Sequence, residues 1–261
     1  MELGYRLVGN GPVRVVVLHE WASASELWEG VHGILDGHRF TYAFVELRGY
    51  GQSRHLSGTY SSAEAAADVV DTASMLGWAT FHAIGHSMSG MVVQRIVLDH
   101  PGRLSSVVAI APVPASGMAI DDGFKEVLRT VPTDPSKARH LSGLVTGNRL
   151  PEAWYAWKGR LLTERLAREA MLGYLDMWTG EDFSGELPVT DVPALAVVGT
   201  HDVEFYREAN LREVFGRFFS DFTLITLADA AHYPMCETPL ILVKILEDFL
   251  ISQSPNTSAT S

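Results

Sequence analysis

One short stretch constrains this chain more than any other: Ala83-Ile84-Gly85-His86-Ser87-Met88-Ser89-Gly90. Apolar residues run into it (Phe81, Ala83, Ile84), and a helix-compatible apolar pattern runs out of it (Met91, Val92, Val93, Ile96, Val97). The pattern predicts a strand, a sharp turn and a helix, with Ser87 at the apex. An apex residue in such a turn is conformationally strained, and bulky neighbours two positions away would clash. Gly85 and Ser89 are small at those two positions. The turn lifts the serine Oγ above the sheet edge and leaves the next backbone N–H at a helix N-terminus, suited to a developing oxyanion. Taken alone, the same residues also suit a plain helix N-cap at Ser87.

The rest of the chain supplies the setting. Leu3 to Val8 alternates weakly and predicts an edge strand, followed by the turn cluster Gly9-Asn10-Gly11-Pro12. Val13 to Leu18 is almost wholly apolar and β-branched, as expected of a strand buried on both faces of a parallel sheet. Further strands are expected at 41–47, at 106–111 and, much later, at 194–198 and 222–227. Helices are expected after Ser23 to about Leu35, over 62–76 with Ser61 or Ser62 and Glu64 as cap, over 207–218 and over 239–251. Strands alternating with helices imply right-handed βαβ units in a doubly wound, mostly parallel sheet. The alternation stops after Pro112. Helical patterns at 124–131, 137–145, 152–162 and 164–178 fill the next stretch, with Trp154, Trp157 and Trp178 among them. This predicts a helical cap, 113–189, inserted into an α/β core formed by 1–112 and 190–253, with a disordered polar tail at 254–261. Most cap aromatics are expected to dock the insertion, with a minority (Trp154, Trp157, Trp178, and Tyr233 from the core) lining a pocket.

Two more stretches carry chemistry. Asp202 ends Val198-Gly199-Thr200-His201-Asp202, just past a predicted strand. His232 lies after the last predicted strand, in Ala231-His232-Tyr233-Pro234-Met235-Cys236-Glu237-Thr238-Pro239. Serine, acid and histidine in that order, each at the carboxyl end of a strand, resemble the α/β-hydrolase superfamily and its capped serine esterase and lactonase branch. The two segments resemble the family's Gly-x-x-Asp and His-x-Pro-x-x-Glu-x-Pro patterns, and Arg48-Gly49-Tyr50-Gly51-Gln52-Ser53 resembles its Arg-Gly-x-Gly-x-Ser turn. The resemblance implies an α/β-hydrolase fold and a catalytic triad of Ser87, His232 and Asp202. Asp229, Asp121 and Asp122 are the rival acids. It further implies an oxyanion hole from the Met88 N–H and, by position in His19-Glu20-Trp21, the Trp21 N–H.

The sequence departs from the family at three places. Ser89 stands where glycine is usual, Glu46 where aspartate is usual, and Glu20 where the loop usually has glycine. Glu20 puts a carboxylate beside a site meant for negative charge. Either its side chain turns away to a backbone N–H or an arginine such as Arg48, or it touches the serine, the histidine or the substrate. Dienelactone hydrolases also carry a glutamate in this loop.

The implied activity is hydrolysis of a small carboxylic ester or lactone through an acyl-enzyme. The alternatives are the same triad acting on an amide, a carbon–carbon bond or a peroxide, or a ligand receptor or lyase on the same fold. A serine apex argues against the aspartate-dependent haloalkane dehalogenases and epoxide hydrolases. No cofactor and no metal are expected. The net charge of −11 and the lack of a basic patch argue against nucleic acid and anionic membranes as partners. One cysteine, Cys236, and no evident signal peptide fit a cytoplasmic protein, expected as a monomer or homodimer.

Overall fold

The computed structural model describes residues 2–254. The tail expected to be disordered, 254–261, lies outside the described residues except for Ser254, whose hydroxyl donates to the Leu250 carbonyl. The strands are β1 (Gly4–Val8), β2 (Val13–Leu18), β3 (Phe40–Glu46), β4 (Phe81–His86), β5 (Leu104–Ile110), β6 (Ala194–Gly199) and β7 (Phe222–Leu227). Among the described residues they form one sheet in the order β1-β3-β2-β4-β5-β6-β7. Only the edge strand β1 is antiparallel to its neighbour. The alternate residues of β2 explain its unbroken apolar run: Val16 and Leu18 enter the core on one face, Val15 and Val17 the core on the other.

The chain leaves β2 in one direction, to β3, and returns across it to β4. That reversal opens a crevice at the carboxyl ends of β2 and β4, where ligands bind in sheets of this kind. Leu18 pairs with Gly85, so the loops after these two strands emerge side by side.

Helices α1 (Ser62–Met75), α2 (Met88–Asp99), α7 (Glu208–Gly216) and α9 (Pro239–Ser252) accompany the sheet. The cap expected at α1 forms, with the Ser61 hydroxyl accepting from the Glu64 N–H and the Glu64 carboxylate accepting from the Thr59 and Tyr60 N–H groups. The helix expected after β2 is instead a run of 3₁₀ turns, Ser25–Ile34. Gly30 and Gly33 weaken the α-helical alternative, and its buried Trp28 and Val31 are spaced three apart, as 3₁₀ turns align them. Between β5 and β6 lie α3 (Asp122–Thr130), α4 (Pro135–Thr146), α5 (Glu152–Arg165) and α6 (Arg168–Gly180). A short helix, α8 (Pro234–Glu237), precedes α9. No described helix is long and apolar enough to cross a membrane.

Candidate active site

Ser87 sits between β4 and α2 with φ 53° and ψ −115°, a strained conformation for a residue with a side chain. Its backbone holds it there. The Ser87 N–H donates to the Ile110 carbonyl, and the Ser87 carbonyl accepts from the Gly90 and Val113 N–H groups. Space is tight on both sides of the turn. A Cβ on Gly85 would stand 2.3 Å from the Ser89 carbonyl oxygen, and one on Gly90 would stand 2.3 Å from Pro112 Cβ. Ser89 fits the family's glycine position and uses its hydroxyl, which donates to the His19 carbonyl at 2.5 Å. The departure therefore ties α2 to the loop after β2.

That loop is held from a second side. His19 Nδ1–H donates to the Glu20 carbonyl at 2.8 Å, and His19 Nε2 accepts from the Leu47 N–H at 3.1 Å. These two bonds define a neutral tautomer, and burial lowers the His19 pKa in agreement. The Tyr50 hydroxyl donates to the Trp21 carbonyl, and the Trp21 indole N–H donates to the Met171 carbonyl in α6. Both the chain and the side chain of Trp21 are thus pinned, beside the start of α2 where Met88 lies.

Asp202 follows β6. Its Oδ1 accepts from the Val203 N–H, and its Oδ2 accepts from His232 Nδ1–H at 2.7 Å. Gly199 makes the crossing of these two loops possible, since a Cβ there would stand 2.4 Å from the Ala230 and Ala231 carbonyl oxygens. The rivals are elsewhere. Asp229 is exposed, with its carbonyl bound by Arg149, Asp121 caps α3, and Asp122 is exposed on that helix. Burial pushes the His232 imidazole pKa down, but the Asp202 carboxylate, through its charge and its hydrogen bond, and then Glu20 push it up, so the net shift is upward. Glu237 shapes the His232 loop, its carboxylate accepting from the Ala231 and Tyr233 N–H groups and pairing with Arg149. That is the physical use of the glutamate in the His-x-Pro-x-x-Glu pattern. His86 is buried neutral, its pKa lowered to about 3 by burial and then by His232, and shares a hydrogen bond with the His232 carbonyl.

Ser87 and His232 open into one cavity of about 100 Å³, lined also by Glu20, Trp21, Tyr206 and Tyr233. Apolar side chains of α3, α4 and α6 close it, among them Phe124, Leu128, Leu141 and Trp178. Of the aromatics expected to line a pocket, Trp178 and Tyr233 do so. Trp154 and Trp157 lie outside the lining: they pack behind Tyr233, with the Trp154 ring 5.1 Å from it, against the core on the α9 side of the sheet. Their own apolar bulk is satisfied by docking the helix.

Glu20 is 3% exposed and does not reach Arg48, which forks onto Asp68 instead. One oxygen accepts from the Ala22 N–H at 2.6 Å, and the other accepts from Lys158 Nζ at 2.9 Å. Burial alone would raise the Glu20 pKa. The Lys158 ammonium, with the Ala22 N–H, overrides it and holds the carboxyl at about 2. Glu46, the other acidic departure, accepts from the Ser25 hydroxyl and the Gln52 N–H and fixes the turn after β3.

Sequence reasoning missed Lys158 and Tyr206. Lys158 carried a signal, because it falls on the same helical face as Trp154, Tyr155, Leu161 and Leu162, where a charge requires a partner. Tyr206 carried none beyond its nearness to Asp202. Its ring lies 4.7 Å from that of His232, and its hydroxyl contacts the Met118 sulfur.

The model of the alpha/beta hydrolase fold family matches residues 13–237. The chain belongs to the α/β-hydrolase superfamily. Similar solved structures include a bromoperoxidase from Bacillus anthracis, with TM-score 0.84, 20% identity and coverage of 95% of this chain and 94% of that one. An enol-lactonase from Burkholderia xenovorans has TM-score 0.82, 22% identity and coverage of 95% and 96%. An esterase from Exiguobacterium antarcticum has TM-score 0.79, 19% identity and coverage of 95% and 94%. At these identities the α/β hydrolase shares its fold with them.

Proposed function

We propose that this α/β hydrolase cleaves a small carboxylic ester or lactone through an acyl-enzyme on Ser87. The observation that carries the reading is the 2.7 Å bond from Asp202 to Nδ1 of His232, whose ring lines the same cavity as the strained Ser87. Asp202 fixes the imidazole with its proton on Nδ1, so Nε2 is free to act as general base. Ser87 Oγ attacks the carbonyl carbon as its proton passes to His232. The tetrahedral oxyanion accepts from the Trp21 and Met88 N–H groups. Collapse breaks the acyl–oxygen bond, and the leaving alkoxide takes the proton from His232. In a lactone that alcohol stays tethered to the acyl group. Water, deprotonated by His232, then releases the acid and frees Ser87.

The small apolar cavity supports an uncharged substrate with a short acyl group. The esterase and lactonase among the structural neighbours support the same class. The bromoperoxidase neighbour supports a variant in which hydrogen peroxide, rather than water, takes the acyl group. A cytoplasmic setting, a monomeric or homodimeric state and a lack of nucleic-acid or membrane partners belong to the same proposal, supported by the acidic charge and the single cysteine. Turnover of p-nitrophenyl acetate by the wild type, abolished in a folded Ser87→Ala variant, is the expected result. Retained turnover in Ser87→Ala contradicts the reading, and tight ligand binding without turnover favours a receptor.

A further inference from the structure

A buried ion pair joins the loop that carries Trp21 to a helix inserted above it. Lys158, on α5, is 2% exposed and Glu20 is 3% exposed. Lys158 Nζ donates to Glu20 Oε1 at 2.9 Å and to the Ala22 carbonyl at 3.0 Å, bracketing Trp21 in the chain. Its ammonium lies 5.1 Å from the centre of the Tyr233 ring, whose hydroxyl approaches Glu20 Oε1 at 3.5 Å. Glu20 lines the cavity shared by Ser87 and His232. A carboxylate there, left alone, would oppose an oxyanion and stabilise the imidazolium.

We propose that Lys158 is a positioning residue that cancels the charge of Glu20 beside the reaction centre and clamps the Glu20–Ala22 turn. The pair then gives the turn a rigid, polar anchor without leaving net charge next to the oxyanion. This inference rests on the serine-hydrolase reading. It makes a prediction about sign that a purely structural anchor does not. His232 must be neutral to act as a base, so activity rises with pH as its proton leaves. The groups facing His232 are Asp202 beyond β6, Glu20 beyond β2, His86 at the end of β4, Lys158 from α5, Tyr206, Tyr233, and Glu237 from α8 with its partner Arg149. Of these, Glu20 and Lys158 form an opposed pair that is removable without touching the triad.

The test is the pH dependence of Ser87 labelling by a fluorophosphonate probe, together with kcat and KM for p-nitrophenyl acetate. Lys158→Met leaves Glu20 uncompensated, and its acid limb is expected to move up by about half to one pH unit. It should also lower kcat about tenfold, with KM nearly unchanged, because the donor in the turn is less well placed. Glu20→Gln removes the negative charge, and its acid limb is expected to move down by a similar amount. The double variant Glu20→Gln/Lys158→Met is expected to return the midpoint close to wild type. Should Lys158→Met fail to fold, the near-isosteric Glu20→Gln gives the sign on its own. Midpoints that stay put, or that move the same way in both single variants, overturn the proposal while labelled Ser87 leaves the hydrolase reading standing. A wild type that neither labels nor turns over ester overturns both.

Discussion

At the scale of single residues, the site depends on which acid faces His232. The structure gives that place to Asp202, buried and bonded to Nδ1, while Asp229 is exposed. Asp202→Asn is therefore expected to lower kcat by about 10⁴-fold, by favouring the wrong imidazole tautomer. Asp229→Asn is expected to change it little. Steady-state kinetics on one ester substrate checks both. The Asp202 carboxylate also raises the His232 pKa above its ordinary value of about 6.5. The acid limb of kcat/KM should accordingly have its midpoint above pH 6.5, with activity lost as pH falls through it. A profile flat down to pH 5 would remove His232 as the base. The positions of Ser87, Asp202 and His232 at neighbouring strand ends were legible because each lies in a motif tied to a strand end. The environment of Glu20 was not, since its partner Lys158 is far away in sequence and only folding brings them together. The choice between a turned-away and an involved Glu20 was left open by its neighbours in sequence, and burial with a cation decided where its charge goes.

At the scale of elements, the turn between β4 and α2 and the helices between β5 and β6 do different work. The turn is a matter of space. Gly85→Val would drive side-chain atoms into the Ser89 carbonyl, which is backbone and cannot rotate aside. It should cost about 2 kcal/mol or more of stability and most of the activity, read from chemical denaturation and turnover. Side chains of the inserted helices α3, α4 and α6 line the cavity. Leu141 and Val145 of α4 line the cavity, so Val145→Trp is expected to fill it. Acetate esters should then be turned over nearly as before, and hexanoate esters much more slowly. An unchanged preference would show that the acyl chain lies elsewhere. Local helical patterns located all four inserted helices, because helix formation is favoured over short stretches of chain. They did not show which aromatics face the cavity. Trp154 and Trp157 look equivalent to Trp178 in sequence, and only the way α5 packs onto the core turns them away.

At the scale of the whole molecule, several histidines are buried without charge. Burial lowers the His82 pKa to about 4 and, with His232 nearby, the His86 pKa to about 3. Both folded values lie below the unfolded value of about 6.5, so the unfolded chain binds more protons between them. Stability from these groups is present above pH 6.5 and is lost as pH falls toward 4 and 3, by up to about 1.4 kcal/mol per pH unit for each histidine. Glu20 has the same direction in a lower window, losing its contribution as pH falls from about 4.5 to about 2. Tm measured from pH 7.5 downward is expected to fall from near 6.5, well before carboxylates titrate, and His82→Gln should flatten the first part of that fall. A Tm constant down to pH 5 would contradict it. The sheet itself was readable from the chain because its strands are short, mostly apolar runs set between turns, clearest in the β-branched run of β2. The exception, the 3₁₀ turns after β2, arises where two glycines and packing against the core outweigh a helical pattern.

The central claim is that Ser87, activated by His232 and Asp202, becomes acylated during turnover. The most direct measurement is peptide mapping by mass spectrometry of protein acid-quenched during turnover of p-nitrophenyl acetate. The account predicts one acetyl group on the peptide containing Ser87, absent in Ser87→Ala. Turnover at the wild-type rate with Ser87 never modified, or with the acetyl group carried by another residue, would contradict it.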